Sequence, residues 1–111
     1  MSLEDCQRLV GDTKTTVYVK GVFPGSFANL GPDWIAQDAR FCFVYVDMDT
    51  YQATRDAIEY FWPRMTRGGI LLIDDYGWEP CAGVKKAIDE VFAPTQLKVV
   101  GSLHTCIIKK D

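Results

Sequence analysis

The chain has 111 residues, enough for one domain with a modest core, and its 48% hydrophobic and 13% aromatic content is that of a globular protein. Twelve basic residues against fifteen acidic ones give a formal charge of -3, which provides no electrostatic footprint for nucleic acid or an anionic membrane. Cys6, Cys42, Cys81 and Cys106 lack the paired short spacings of a zinc site or a disulfide framework, no apolar run reaches the length of a membrane span, and no signal-peptide hydrophobic region stands at the N-terminus. The expectation is a cytoplasmic protein with reduced thiols, in which Cys42 and Cys106 pack as small hydrophobes.

Leu3 to Val10 reads as the end of a helix closed by Gly11. Thr15 to Val22 has strand composition, and Phe23-Pro24-Gly25-Ser26 breaks it. Ser26 to Leu30 fits one helical turn, and Trp34 to Arg40 leads into the first of two apolar runs. That run, Phe41 to Val46, and its counterpart, Ile70 to Ile73, are rich in β-branched and aromatic residues and read as strands buried on both faces of a parallel sheet. Between them, Tyr51 to Met65 places Ala53, Ala57, Ile58, Phe61 and Met65 at helical spacing. The unit is strand, helix, strand, and a right-handed crossover brings both strand ends to one edge of the sheet.

A Gly- and Pro-containing loop, Tyr76 to Pro80, leads to a helix over Ala82 to Phe92 whose apolar face is Val84, Ala87, Ile88, Val91 and Phe92. Leu97 to Leu103 and His104 to Lys109, joined tightly at Gly101-Ser102, read as an antiparallel pair. The fold class is therefore α/β, a mostly parallel sheet with an antiparallel C-terminal strand pair and helices on both faces. Residues 1-111 are expected to form a single domain. No strand runs into a G-x-G-x-x-G turn of the kind that lets backbone amides approach a nucleotide cofactor; Gly68-Gly69 precedes a strand instead.

Both central strands stop at acids: Asp47 and Asp49 after the first, Asp74 and Asp75 after the second. Adjacent strands lie about 5 Å apart, so Asp47, Asp74 and Asp75 can share a site, where they would raise one another's pKa values unless a cation neutralised them. Oxygen donors without a nearby His or Cys favour Mg²⁺, which could orient a substrate hydroxyl and lower its pKa, with Asp47 as general base. Acids in strand-to-helix loops also serve as helix caps, and the pattern alone leaves both roles open. Asp49, just before Thr50-Tyr51, reads as an N-cap. His104, the only histidine, reads as structural, at a strand start away from the acidic edge. Lys20 reads as a solvated side chain, Trp34 and Trp62 as packing, and Tyr51, Tyr76 and Trp78 as packing or pocket lining.

Four separate pieces, in order, resemble the macrocin O-methyltransferase family of class I S-adenosylmethionine-dependent methyltransferases. They are Asp47-Met48-Asp49-Thr50-Tyr51-Gln52-Ala53-Thr54, matching D-x-D-x-Y-x-x-T; Pro63 to Gly69, matching P-x-x-x-x-G-G; Asp74-Asp75-Tyr76; and Gly83 to Glu90, matching G-x-x-x-A-[VI]-D-E. The resemblance covers about Val17 to the C-terminus. It implies a partial Rossmann-like sheet and Mg²⁺-assisted methylation of a hydroxyl on a sugar or natural product. It places metal ligands at Asp47, Asp74 and Asp75, with Asp47 also the candidate base. The family's first strand, its glycine-containing S-adenosylmethionine loop and its ribose-binding acid precede the matching region and have no counterpart here. The expectation is the C-terminal portion of a methyltransferase domain, truncated, with the metal edge preserved and the cofactor site defective, and inactive alone. Two other readings are a receiver-like domain with an acidic pocket and a non-catalytic module that forms a homodimer through an exposed sheet edge.

Overall fold

The apolar runs form strands as expected, but their burial alternates. In a computed structural model, which describes residues 2–11, 19, 23, 25 and 39–111, the chain divides into two units, 1–35 and 36–111. The expected strand at Thr15 to Val22, apart from Val19, the turn at Ser26 to Leu30, and Lys20 and Trp34 lie outside the described residues.

In the first unit, α1 spans Leu3–Val10. Ser2 caps it: its hydroxyl accepts from the Asp5 N–H at 3.1 Å and its own N–H donates to Asp5 Oδ2 at 3.2 Å. Gly11, at φ 90, ends the helix by donating to the Gln7 carbonyl at 2.9 Å.

The second unit runs β1 (Phe41–Val46), α2 (Tyr51–Phe61), β2 (Met65–Asp74), α3 (Ala82–Val91), β3 (Leu97–Val100) and β4 (Thr105–Lys109). The sheet order is β1-β2-β4-β3. β1 and β2 are parallel, with Val44 opposite Leu71 and Val46 opposite Ile73; β4 is antiparallel to both β2 and β3. The tight connection at Gly101–Leu103 is a 3-10 turn, so β3 stops at Val100.

Val44, Val46, Leu71, Ile73, Cys106 and Ile108 are buried and alternate along their strands. They form the core together with Ala57 and Ile58 of α2, Val84, Ala87 and Ile88 of α3, and Phe92. Thr54 is buried among them because its hydroxyl is satisfied, donating to the Thr50 carbonyl at 2.6 Å. The expectation that β1 is buried on both faces is corrected: Phe43 is 56% and Tyr45 54% exposed. The two α-helices of the second unit, α2 and α3, pack against each other on the buried face of the sheet. Cys42 is exposed rather than packed, whereas Cys106 is buried; all four cysteines are free thiols. Val91 is likewise exposed rather than part of the α3 core face.

The helix expected to reach Met65 ends at Phe61. Pro63, without an N–H, sits in a 3-10 turn, and Met65 opens β2. The pairing then slips, with Phe41 opposite Met65 but Phe43 opposite Ile70, so Thr66 to Gly69 bulge out of the ladder. Gly68 takes φ 78 there, and a Cβ on Gly69 would stand 2.9 Å from the Thr66 carbonyl oxygen. No helix among the described residues is long and apolar enough to cross a membrane.

Candidate functional site

The in-register parallel pairing of Val46 with Ile73 carries both chains out of the sheet at one edge, where Asp47 follows β1 and Asp74 closes β2. The structure brings Asp47, Asp74 and Asp75 together: one carboxylate oxygen from each lies within 4.8 Å of the others. Asp47 is exposed, and Asp74 and Asp75 are half-buried. The Asp75 N–H donates to Asp74 Oδ1 at 2.9 Å, and the Tyr45 hydroxyl approaches Asp74 Oδ2 at 3.4 Å.

Asp49 belongs to this edge as well. The N-cap of α2 is Thr50, whose hydroxyl accepts from the Ala53 N–H at 3.4 Å, so the capping role read for Asp49 is corrected. Asp49 instead holds a left-handed backbone, φ 62, as does Asp75 at φ 67. Aspartate tolerates that region better than most residues, since its short polar side chain can bond locally. Asp49, Asp75 and the Cys81 thiol form a second group with donor atoms within 4.8 Å of one another.

Asp75 and Asp47 both lie above the ordinary carboxylate range. Asp75 is pushed up to about 6, first by a hydrogen bond with Asp49, then by desolvation and by the charges of Asp74, Asp49 and Asp47. Asp47 is raised by desolvation and then by Asp74 and Asp49. Desolvation, followed by the negative charge of Asp74 and Asp47, also lifts the Tyr45 phenol, and desolvation followed by Asp75 lifts the Cys81 thiol. Desolvation, reinforced by the like charge of neighbouring carboxylates, produces this pattern at the sheet edge.

Two contacts fix the loop after β2. The Tyr76 N–H donates to the His104 carbonyl at 2.9 Å, and the Tyr76 hydroxyl to Asp89 Oδ1 of α3 at 2.7 Å. Asp89 also pairs with Lys85, whose ammonium stands 5.4 Å from the Tyr76 ring centroid. The placement of His104 away from the acidic edge is therefore corrected. β4 runs antiparallel, so its start lies where β2 ends, with Thr105 opposite Asp74. His104 is left-handed, φ 49, and exposed.

Tyr51 packs between helices: its hydroxyl donates to Glu90 at 2.5 Å and Lys86 lies over its ring. Trp62 packs edge-on against Phe92, with centroids 4.8 Å apart. Trp78 is 45% exposed beside the acidic loop. Sequence reasoning missed Tyr45 and Cys81 at this edge. The signal for Tyr45 was available, since it stands two residues before Asp47 in a run otherwise without hydroxyls.

A parallel strand–helix–strand unit followed by an antiparallel pair, with acids at the strand ends, is the sheet plan of the class I O-methyltransferases that this structure resembles. The chain belongs to the Macrocin-O-methyltransferase (TylF) family, whose model matches residues 9–98. Among curated proteins, a tetracenomycin rhamnosyl 4'-O-methyltransferase of Streptomyces olivaceus is 38% identical over 58 residues, which is 52% of this chain and 22% of that protein. The chain thus spans about a fifth of that relative's length.

Two solved structures share the fold. The O-methyltransferase NovP aligns with a TM-score of 0.57 and 24% identity over 68% of this chain and 31% of its own. The apo TDP-rhamnose 3'-O-methyltransferase of calicheamicin biosynthesis aligns with a TM-score of 0.61 and 20% identity over 78% of this chain and 36% of its own.

Proposed function

We propose that the chain carries the metal-binding edge of an S-adenosylmethionine-dependent O-methyltransferase acting on a hydroxyl of a sugar or other natural product. One observation carries the metal reading: the carboxyl oxygens of Asp47, Asp74 and Asp75 converge within 4.8 Å at the ends of two parallel strands. The donor set fits Mg²⁺, being oxygen-only and anionic, and the raised pKa of Asp75 and of Asp47 is the electrostatic cost that a divalent cation there would remove.

Mg²⁺ bound there would act as a Lewis acid that favours ionisation of a substrate hydroxyl. This chain's residues do the rest. Asp74 at the end of β2 and Asp75 in the turn after it hold the site, and Asp47, the most exposed of the three, accepts the hydroxyl proton as general base. The similar proteins named for methylation of a rhamnose hydroxyl support a sugar as the acceptor class.

The methyl-donor half fits less well. The sequence contains no G-x-G-x-x-G motif, and the chain alone is proposed to bind S-adenosylmethionine weakly and to be inactive. Its four free thiols fit a cytoplasmic setting.

Calorimetry tests both halves. Mg²⁺ is expected to bind the chain and to be lost on Asp74→Ala; absence of Mg²⁺ binding by the folded chain sinks the metal reading. Tight, stoichiometric uptake of S-adenosylmethionine sinks the second half. A further reading, a module that dimerises through its sheet edge, is favoured by β1 having a hydrogen-bonded neighbour only on its β2 side among the described strands. A monomer in light scattering removes it.

A further inference from the structure

Both oxygens of the Asp74 carboxylate have a protein donor. Oδ1 accepts the Asp75 N–H at 2.9 Å, and Oδ2 the Tyr45 hydroxyl at 3.4 Å. Tyr45 pairs with Leu72 in the parallel ladder, so the two-residue period of the strand puts Tyr45, Leu72 and Asp74 on one face of the sheet. That face lies opposite the buried one formed by Val44, Val46, Leu71 and Ile73, and Tyr45 is 54% exposed on it. Its ring is poorly buried, yet its hydroxyl reaches the end of the neighbouring strand. Phe43, two residues earlier on the same face, is similarly exposed and has no hydroxyl to offer.

We infer that Tyr45 is a positioning residue for Asp74: its hydroxyl, acting with the Asp75 amide, sets the rotation of the Asp74 carboxylate so that its remaining lone pairs face Asp47 and Asp75. A carboxylate oxygen can accept more than one hydrogen bond, so the two donors orient Asp74 without exhausting it as a ligand. Outer donors of this kind tune a metal site through its ligands. The inference rests on the proposed metal edge and adds a residue outside the family's acidic motifs.

The test is Mg²⁺ affinity of the full chain, measured by calorimetry, for the wild type, Tyr45→Phe and Phe43→Leu, with thermal melting in a chelator as the fold control. Tyr45→Phe keeps the ring and is expected to melt as the wild type does without metal. Its Mg²⁺ dissociation constant is expected to rise about tenfold, the low end for outer-shell partners because the contact is long. Phe43→Leu is expected to bind Mg²⁺ as the wild type does. Equal Mg²⁺ affinity in Tyr45→Phe and the wild type overturns the positioning role and leaves the metal edge standing. A folded wild-type chain that takes up no Mg²⁺ overturns both.

Discussion

Asp49 and Asp75 follow different strands, yet each holds a left-handed backbone, at φ 62 and φ 67, and brings a carboxylate oxygen within 4.8 Å of the other's. Strained backbone next to crowded like charge is characteristic of sites that bind something. Asp75→Asn keeps a residue that tolerates the left-handed region and removes one negative charge. The metal-free variant is expected to melt a few degrees above the wild type at neutral pH. The stabilisation by Mg²⁺ expected of the wild type should disappear. Melting curves with and without Mg²⁺ check both, and a variant still stabilised by Mg²⁺ excludes Asp75 as a ligand.

The same residue sets a pH dependence. Its ordinary value is 3.8 and its folded value about 6, so between them the folded chain holds a proton that the unfolded chain has released. Stability therefore falls as pH rises through this window. Asp47, also raised, adds in the same direction. Asp89 works the opposite way: desolvation alone would raise it, but hydrogen bonds from Lys85 and Tyr76 lower it, so its stabilisation is lost only in stronger acid. Urea midpoints in a chelator should decline across the window and flatten when Mg²⁺ is added. A chelated midpoint that climbs with pH contradicts the assignment.

Gly83, near the start of α3, lies directly against Tyr51 at the start of α2. A Cβ there would lie 2.9 Å from both the Cβ and the backbone N of Tyr51, and backbone cannot step aside cheaply. Helix propensity favours alanine over glycine by about 1 kcal/mol, whereas overpacking costs about 1–3 kcal/mol. Gly83→Ala is expected to lower the urea midpoint on balance; a rise would mean that α2 and α3 separate without loss.

Tyr76→Phe removes the hydroxyl that donates to Asp89 at 2.7 Å. The expected loss of stability is about 0.5–1.5 kcal/mol. Left with Lys85 alone, Asp89 should titrate at higher pH than in the wild type, which an NMR titration of its carboxyl resolves. An unchanged Asp89 titration would show that the hydroxyl does not hold α3 to the acidic loop.

The central strands and three of the edge acids were legible because a long apolar run ending at an acid has few other readings. Their surroundings were less so. Phe43 and Tyr45 are as apolar or aromatic as their buried neighbours, and only the positions of α2 and α3 decide which face is covered. Asp49 and Thr50 are both capping residue types, side by side. The left-handed turn at Asp49 passes the cap to Thr50 and turns the Asp49 carboxyl toward Asp75. His104, read as the first residue of the last strand, instead closes the turn before β4, which opens at Thr105, and the direction of β4 brings that start to the acidic edge.

By itself, the sequence determined the α/β class, the strand–helix–strand order, the family, and Asp47, Asp74 and Asp75 as acids at strand ends, because these depend on local pattern and spacing. Tertiary structure alone decided that their oxygens converge, that Asp49 and Cys81 stand beside them, and that Tyr45 reaches Asp74 from the next strand. Those relations depend on parallel register, left-handed turns and the antiparallel return of β4, which are set by pairing between segments far apart in the chain.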